Sequence, residues 1–130
     1  MREIIFRGKR LDNGEWAEGF YISHLNACHY IIPFRAGGYE AMDNRFYVHK
    51  WFEVDPSTIG QYTGMKDKHG KKIFEGDILS LRTGRPHVVR FKNGAFILED
   101  SAIPMSFAIK FEIIGNVTDN PELLKEEAQT

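Results

Sequence analysis

The sequence contains a single cysteine, Cys28, in 130 residues, which excludes an intrachain disulfide framework. It is also short of net charge. Its 17 Lys/Arg against 18 Asp/Glu leave a formal -1, which argues against wholesale attraction to nucleic acid or to an anionic membrane. No window approaches the roughly 20 apolar residues that a membrane-spanning helix needs. Residues Met1 to Arg7 carry charges where a signal peptide would need its apolar stretch. With one thiol and no leader-like start, the expectation is a cytoplasmic protein that makes no membrane contact. Long amphipathic periods, strand–helix alternation and internal repeats are missing too, so a parallel α/β sheet, a coiled coil and a solenoid are not expected.

What is present is enough for a core. Hydrophobic residues make up 42% of the chain and aromatic residues 13%, well above the range of disordered chains. The β-forming runs are short and punctuated by turn residues. Glu3–Phe6 reads as a first strand ended by Gly8, and Asn13-Gly14 as a type I′ turn. Beyond that turn, Trp16, Phe20 and Ile22 fall on one face at even spacing, while Gly19 on the other face marks a bulge or a close backbone approach. His29–Ile32 reads as a strand stopped by Pro33. Gly37-Gly38 and Met42-Asp43-Asn44 read as loop, and Phe46–Val54 as one long strand. Asp55-Pro56-Ser57-Thr58 reads as a turn or a short helical piece with proline at its start.

The middle of the chain is the most informative. From Ile59 an apolar and aromatic run leads to Asp67-Lys68-His69-Gly70, a polar tip whose glycine takes a positive φ. The chain returns through Ile73 and Phe74 to Gly76-Asp77-Ile78-Leu79, where a new strand starts. Glu75 and Asp77 could be viewed as paired carboxylates, but beside Gly76 the Asp77 side chain is expected to accept backbone N–H groups and close a turn. His87–Phe91, Asn93-Gly94 and Ala95–Leu98 form the clearest hairpin. Asp100–Ser106 reads as loop and Phe107–Val117 as a last long strand bent at Gly115. Asp119-Asn120-Pro121-Glu122 carries the signals of a helix start, predicting a short helix over 121–127. Trp16, Tyr62, Phe74 and Ile78 are the expected core members.

These elements add up to a mostly β chain, a small antiparallel β-barrel or sandwich-like domain with a short C-terminal helix. Residues 1–130 are expected to form a single domain, with an N-terminal β part over 1–58 and a central and C-terminal β part over 59–120.

Three blocks of the sequence also resemble the YopX family of small phage and prophage proteins. The first is Phe6-Arg7-Gly8-Lys9 with Gly14-Glu15-Trp16. The second runs from Val54 through Asp55-Pro56-Ser57-Thr58-Ile59-Gly60-Gln61-Tyr62-Thr63-Gly64 to Asp67-Lys68, Gly70-Lys71 and Ile73-Phe74-Glu75-Gly76-Asp77-Ile78. The third is Ile114-Gly115-Asn116-Val117 with Asp119-Asn120-Pro121-Glu122-Leu123-Leu124. His69 stands where the family turn would be expected to hold asparagine. The resemblance implies a mostly β fold and a gene of phage or prophage origin, and it brings no catalytic residues to transfer.

Candidate chemistry is sparse. His24, Cys28 and His29, with His49 further on, offer ligand types but no Cys-x-x-Cys pair, and the spacing does not suit zinc. No metal or cofactor is expected. Nothing around Cys28 matches a nucleophile motif, so the chain reads as non-catalytic. The charge distribution is the best lead. Residues 59–98 carry eight Lys/Arg against three Asp/Glu, and residues 99–130 two against seven. Lys66, Lys68, Lys71 and Lys72 surround one turn, while Arg82, Arg85, Arg90 and Lys92 sit on the strands that follow. Such donors on one face would hold phosphates, giving a nucleic-acid-binding or regulatory accessory module. The alternatives are a solvated rim of lysines and a protein-interaction or assembly module, in which the basic middle meets the acidic end of a second subunit.

Overall fold

The computed structural model describes residues 2–24, 27–34, 37–39, 46–48, 50–81 and 84–124. The chain is mostly β and forms two compact units, Glu3–Gln61 and Tyr62–Thr130. The boundary falls inside one strand.

In the first unit, β1 (Phe6–Lys9), β2 (Trp16–His24), β3 (Cys28–Ile32) and β6 (Phe52–Glu53) pair antiparallel in the order β6-β3-β2-β1. A separate ribbon joins β4 (Gly37–Tyr39) to β5 (Phe46–Val48). The expected first strand is thus shifted toward the C-terminus and runs through Gly8. A Cβ at Gly8 would lie 3.0 Å from Val54 Cβ, so the glycine lets Val54 pack against the strand rather than ending it. The stretch read as one strand from Phe46 to Val54 is broken into β5 and β6, and Gly37-Gly38, read as loop, lies in β4. The residues Met42-Asp43-Asn44 lie outside the described residues.

The Asn13-Gly14 turn also differs from expectation. Only Gly14 has positive φ, while the Asn13 side chain accepts the Glu15 N–H at 2.9 Å. The Gly14 N–H reaches back to the Arg10 carbonyl, giving a longer connection than a two-residue type I′ turn. The short helical piece expected behind Asp55 is a 3-10 helix at Pro56–Thr58, and Asp55 caps it, accepting from the Ser57 N–H at 3.0 Å.

The core of this unit is Ala17, Ile31 and Val54, with Phe6, Tyr21, Phe52 and Ile59 packed around them. The buried side of β2 is therefore the Ala17, Gly19 and Tyr21 side, opposite to the one predicted from Trp16, Phe20 and Ile22. Period two defines two faces without saying which is buried. Here the small residues decide it: a Cβ at Gly19 would lie 2.0 Å from the Ile32 carbonyl oxygen. Trp16 is half-buried instead of core, with the Arg7 guanidinium 4.7 Å from its ring centroid.

The chain crosses into the second unit along β7 (Gly60–Lys66), whose first two residues pair with β1. Beyond them β7 pairs with β8 (Lys72–Phe74). A four-stranded antiparallel sheet follows in the order β11-β10-β9-β12. Its strands are β9 (Asp77–Ser80), β10 (His87–Lys92), β11 (Ala95–Leu98) and β12 (Glu112–Asn116). Asn93 and Gly94 both take positive φ in the β10–β11 hairpin, as expected. Register shifts between Ile113 and Gly115, as expected for a bend there. The long strand predicted from Phe107 is shortened, because Met105–Lys110 coil into a 3-10 helix behind Pro104. That turn drops Ala108 and Phe111 into a core with Ile73, Leu79, Val89 and Leu98. Tyr62, Phe74 and Ile78 are buried as predicted. A helical turn begins at Pro121, with residues 122–124 helical, and residues 125–127 of the expected helix lie outside the described residues. Among the described residues, no sheet closes into a barrel, and no helix is long and apolar enough to cross a membrane.

Candidate nucleic-acid interface

The β7–β8 connection is built around Asp67. Alternation along the strand turns Met65 and Asp67 inward, and Lys66 and Lys68 outward. Asp67 is only 5% exposed, so its carboxylate must find donors inside the protein. It finds three. Oδ1 accepts the His69 N–H at 2.8 Å and the Lys71 N–H at 2.9 Å, and Oδ2 accepts the Ile113 N–H of β12 at 3.1 Å. The Lys68 N–H donates to the Phe111 carbonyl at 2.9 Å, and Gly70 closes the tip at positive φ. Outside, His69 Nε2 meets Glu112 Oε1 at 3.1 Å. Burial opposes the charge on Asp67, but the N–H groups of Ile113, Lys71 and His69, helped by the His69 ring, hold its carboxyl below the usual range.

This clamp fixes the backbone that carries the four lysines of the turn. Lys66, Lys68 and Lys71 are exposed and make no ion pair among the described residues. Lys72 is half-buried, with Nζ 6.0 Å from the Tyr62 ring centroid. Lys66 and Lys72 are direct cross-strand partners. That pairing sets two like charges side by side on the hairpin. Next to the tip, the 3-10 helix that ends at Lys110 presents exposed Phe107, with Lys110 Nζ 5.3 Å from its ring centroid. Lys110 and Phe107 lie outside the basic stretch of the sequence. The Lys68–Phe111 hydrogen bond brings their segment to the tip, and no local signal marks that contact.

The other predicted cations behave differently. Arg90 Nε and Lys92 Nζ both donate to Glu99, at 3.1 and 2.9 Å. These two hydrogen bonds hold the Glu99 carboxyl low. Arg85 is exposed at the mouth of a cleft of about 350 Å³, together with Arg90, Glu99 and Asp100. Cations and carboxylates are balanced there, leaving little net pull on a phosphate. Arg82 lies outside the described residues. The structure therefore gathers four of the eight cations on one hairpin and ties two others to a carboxylate.

Of the remaining sequence candidates, Asp77, His29 and Cys28 have structural partners, and His24 is exposed. Asp77 is buried and its Oδ2 accepts the Phe74 N–H at 2.8 Å, the turn-closing role expected for it. His29 Nδ1 lies 2.7 Å from the Tyr21 hydroxyl. The Cys28 thiol hydrogen-bonds the Tyr30 hydroxyl, the main reason the Tyr30 phenol is pushed up. His49 lies outside the described residues. No cluster of three His, Cys, Asp or Glu side chains forms among the described residues.

A two-unit antiparallel β protein with a clamped, lysine-bearing hairpin is the class that these features define. The chain belongs to the YopX protein family, whose model matches residues 6–125. Among solved structures it is similar to the crystal structure of protein EF1440 from Enterococcus faecalis. The two are 26% identical, with a TM-score of 0.70 over 95% of this chain and 99% of that one. No curated protein matches the chain.

Proposed function

We propose that the protein is a non-catalytic accessory module of phage or prophage origin, working in the host cytoplasm, that binds nucleic acid through the β7–β8 tip. The observation that carries this reading is the Asp67 clamp. It holds a backbone whose outward residues are Lys66, Lys68 and Lys71, with Lys72 opposite Lys66. A solvated rim would not need a buried carboxylate with three amide donors to fix its geometry. Pre-organisation of this kind lowers the ordering cost of binding. Lysines on a hairpin contact phosphates rather than base edges, so the binding is expected to be sequence-tolerant. Exposed Phe107 beside Lys110 offers a ring on which an unpaired base can stack, which favours single strands over duplex.

The test is a titration of labelled single- and double-stranded DNA and RNA across a range of salt. Affinity should fall steeply with salt, because each neutralised phosphate releases counterions. Absence of binding at low salt with protein at about 10⁻⁴ M, the weak end of non-specific affinity, would overturn the reading.

A further inference from the structure

The tip that carries the lysines also carries a histidine–carboxylate pair. His69 sits in the Asp67-Lys68-His69-Gly70 turn, and Glu112 is the first residue of β12. Their Nε2 and Oε1 atoms lie 3.1 Å apart, with 55% and 47% of the two side chains open to solvent. The residues are 43 positions apart in the chain. They meet because Asp67 holds both backbones, its Oδ1 accepting the His69 N–H and its Oδ2 the Ile113 N–H beside Glu112. The clamp that fixes the lysines therefore fixes this pair as well, in reach of any ligand of the tip.

The charged groups on the segments packed here are few. The turn and its flanking strands supply Lys66, Lys68, Lys71 and Lys72, with the Asp67 carboxylate buried beneath them. The chain arriving at the tip supplies Lys110, at the end of its 3-10 helix, and then Glu112. On β9, the cross-strand neighbour of Glu112 is the uncharged Ser80. Asp67 gives its oxygens to three amides, which hold its carboxyl below the usual range. It therefore keeps its charge throughout the range of pH 5 to 8, in which histidine is the side chain whose charge ordinarily changes. Glu112 is thus a solvent-facing carboxylate set into a cationic surface, and its hydrogen-bond partner is the one group of the tip able to change charge near neutral pH.

We propose that His69 and Glu112 form a pH-sensitive switch on the nucleic-acid-binding tip, turned on by protonation of the imidazole. The inference rests on the reading of that tip as a phosphate-binding surface, and adds its regulation. With a neutral imidazole, the Glu112 charge stands uncancelled among the lysines and repels an incoming phosphate. With a protonated one, the same contact becomes a charge-assisted hydrogen bond and cancels that charge. The two atoms are already within hydrogen-bond distance, so the switch needs no rearrangement of the hairpin. The ring is exposed, so its proton exchanges directly with solvent. Two other histidines are engaged elsewhere: His29 with the Tyr21 hydroxyl, and the His87 ring edge-on to Phe111, 6.1 Å between centroids.

The test is the affinity for a thymine-only single-stranded DNA at fixed low salt, read by fluorescence anisotropy from pH 8 to pH 5. Thymine takes up no proton in this range, so the charge of the probe stays constant. Wild-type affinity should rise roughly fivefold as the pH falls, the upper value for one exposed charge contact. His69→Gln, which keeps the backbone N–H bonded to Asp67, should remove the rise. Glu112→Gln should bind more tightly than the wild type at pH 8, because the repelling charge is gone. Circular dichroism across the same range checks that each protein stays folded. A rise that persists in His69→Gln overturns the switch and leaves binding at the tip standing. So does a wild-type affinity that does not change with pH, or a Glu112→Gln variant that binds no better at pH 8. Absence of binding at every pH overturns the reading of the tip, and the switch with it.

Discussion

Asp67 Oδ2 accepts the amide of Ile113 at 3.1 Å, joining residues 46 positions apart. Together with the Lys68–Phe111 bond, this contact makes the hairpin tip a continuation of β12 rather than a free loop. The position of the lysines therefore depends on one buried carboxylate.

Replacing Asp67 by alanine strands three amide donors, those of His69, Lys71 and Ile113. At roughly 1–3 kcal/mol per unsatisfied buried group, with the exposed tip regaining water, the net cost should be about 3 kcal/mol. Asp67→Asn keeps one acceptor oxygen and should cost less. Denaturant midpoints at constant m-value measure both. A change below ~0.5 kcal/mol for the alanine variant, the size of an ordinary surface substitution, would show that the clamp carries no stability.

The same carboxylate sets a pH dependence. Its folded pKa lies below the unfolded value, so the folded state binds fewer protons in the window between them, and stability there rises with pH. The contribution is complete above the unfolded value of about 3.9 and is lost as pH falls through the lower, folded one. Glu99, held low by Lys92 and Arg90, acts in the same direction. Urea unfolding between neutral pH and pH 2 should show a steep acid limb, shallower in Asp67→Asn. An identical limb in the variant would assign the acid loss to other groups.

Core membership separates two aromatic residues that the sequence treats alike. Phe74 is 3% exposed and stacks at a tilt against Tyr62, 5.7 Å between centroids. Phe74→Ala should cost about 3–5 kcal/mol. Trp16 is half-buried under Arg7, so Trp16→Ala should cost clearly less, through lost cation–π and stem packing, of order 1–2 kcal/mol. Thermal or chemical denaturation of the two variants measures the order, and a reversed order would contradict the assignment of the inner and outer faces of β2.

How much of this could be read from the chain depends on the range of each signal. Asn93-Gly94 was legible because both residues' left-handed preference is local. The helical piece at Pro56–Thr58 was legible because proline at a helix start acts locally. Gly115 announced a bend, and Gly19 a close approach. The side chosen by β2 was not legible: Trp16, Phe20 and Ile22 alternate just as Ala17, Gly19 and Tyr21 do. The fit of small residues against Ile32 and Val54 decides between them, and that is a tertiary fact. The 3-10 helix at Met105–Lys110 was hidden for a similar reason, since its β-forming residues yield to the burial of Ala108 and Phe111. At the hairpin, sequence counted the lysines correctly. The alternation Met65-Lys66-Asp67-Lys68 could have shown Asp67 facing inward, whereas its bond to Ile113 and the arrival of Phe107 and Lys110 required the fold. The pairing of Arg90 and Lys92 with Glu99 crosses the β10–β11 hairpin, and only the register reveals it.

The central claim is that the Asp67-clamped lysines, and not basic charge in general, bind nucleic acid. The most direct measurement compares single-stranded DNA affinity at low salt for three proteins. These are the wild type, Lys66→Gln/Lys68→Gln/Lys71→Gln, and Arg90→Gln/Lys92→Gln. Both variants should keep their fold, since exposed charges contribute little to stability. The hairpin variant should bind at least about tenfold more weakly on every sequence and lose about two units from the slope of log affinity against log salt, at roughly 0.7 per phosphate contact for single strands. The β10 variant should retain wild-type binding. Equal losses in the two variants, or no binding by the wild type, would contradict the account.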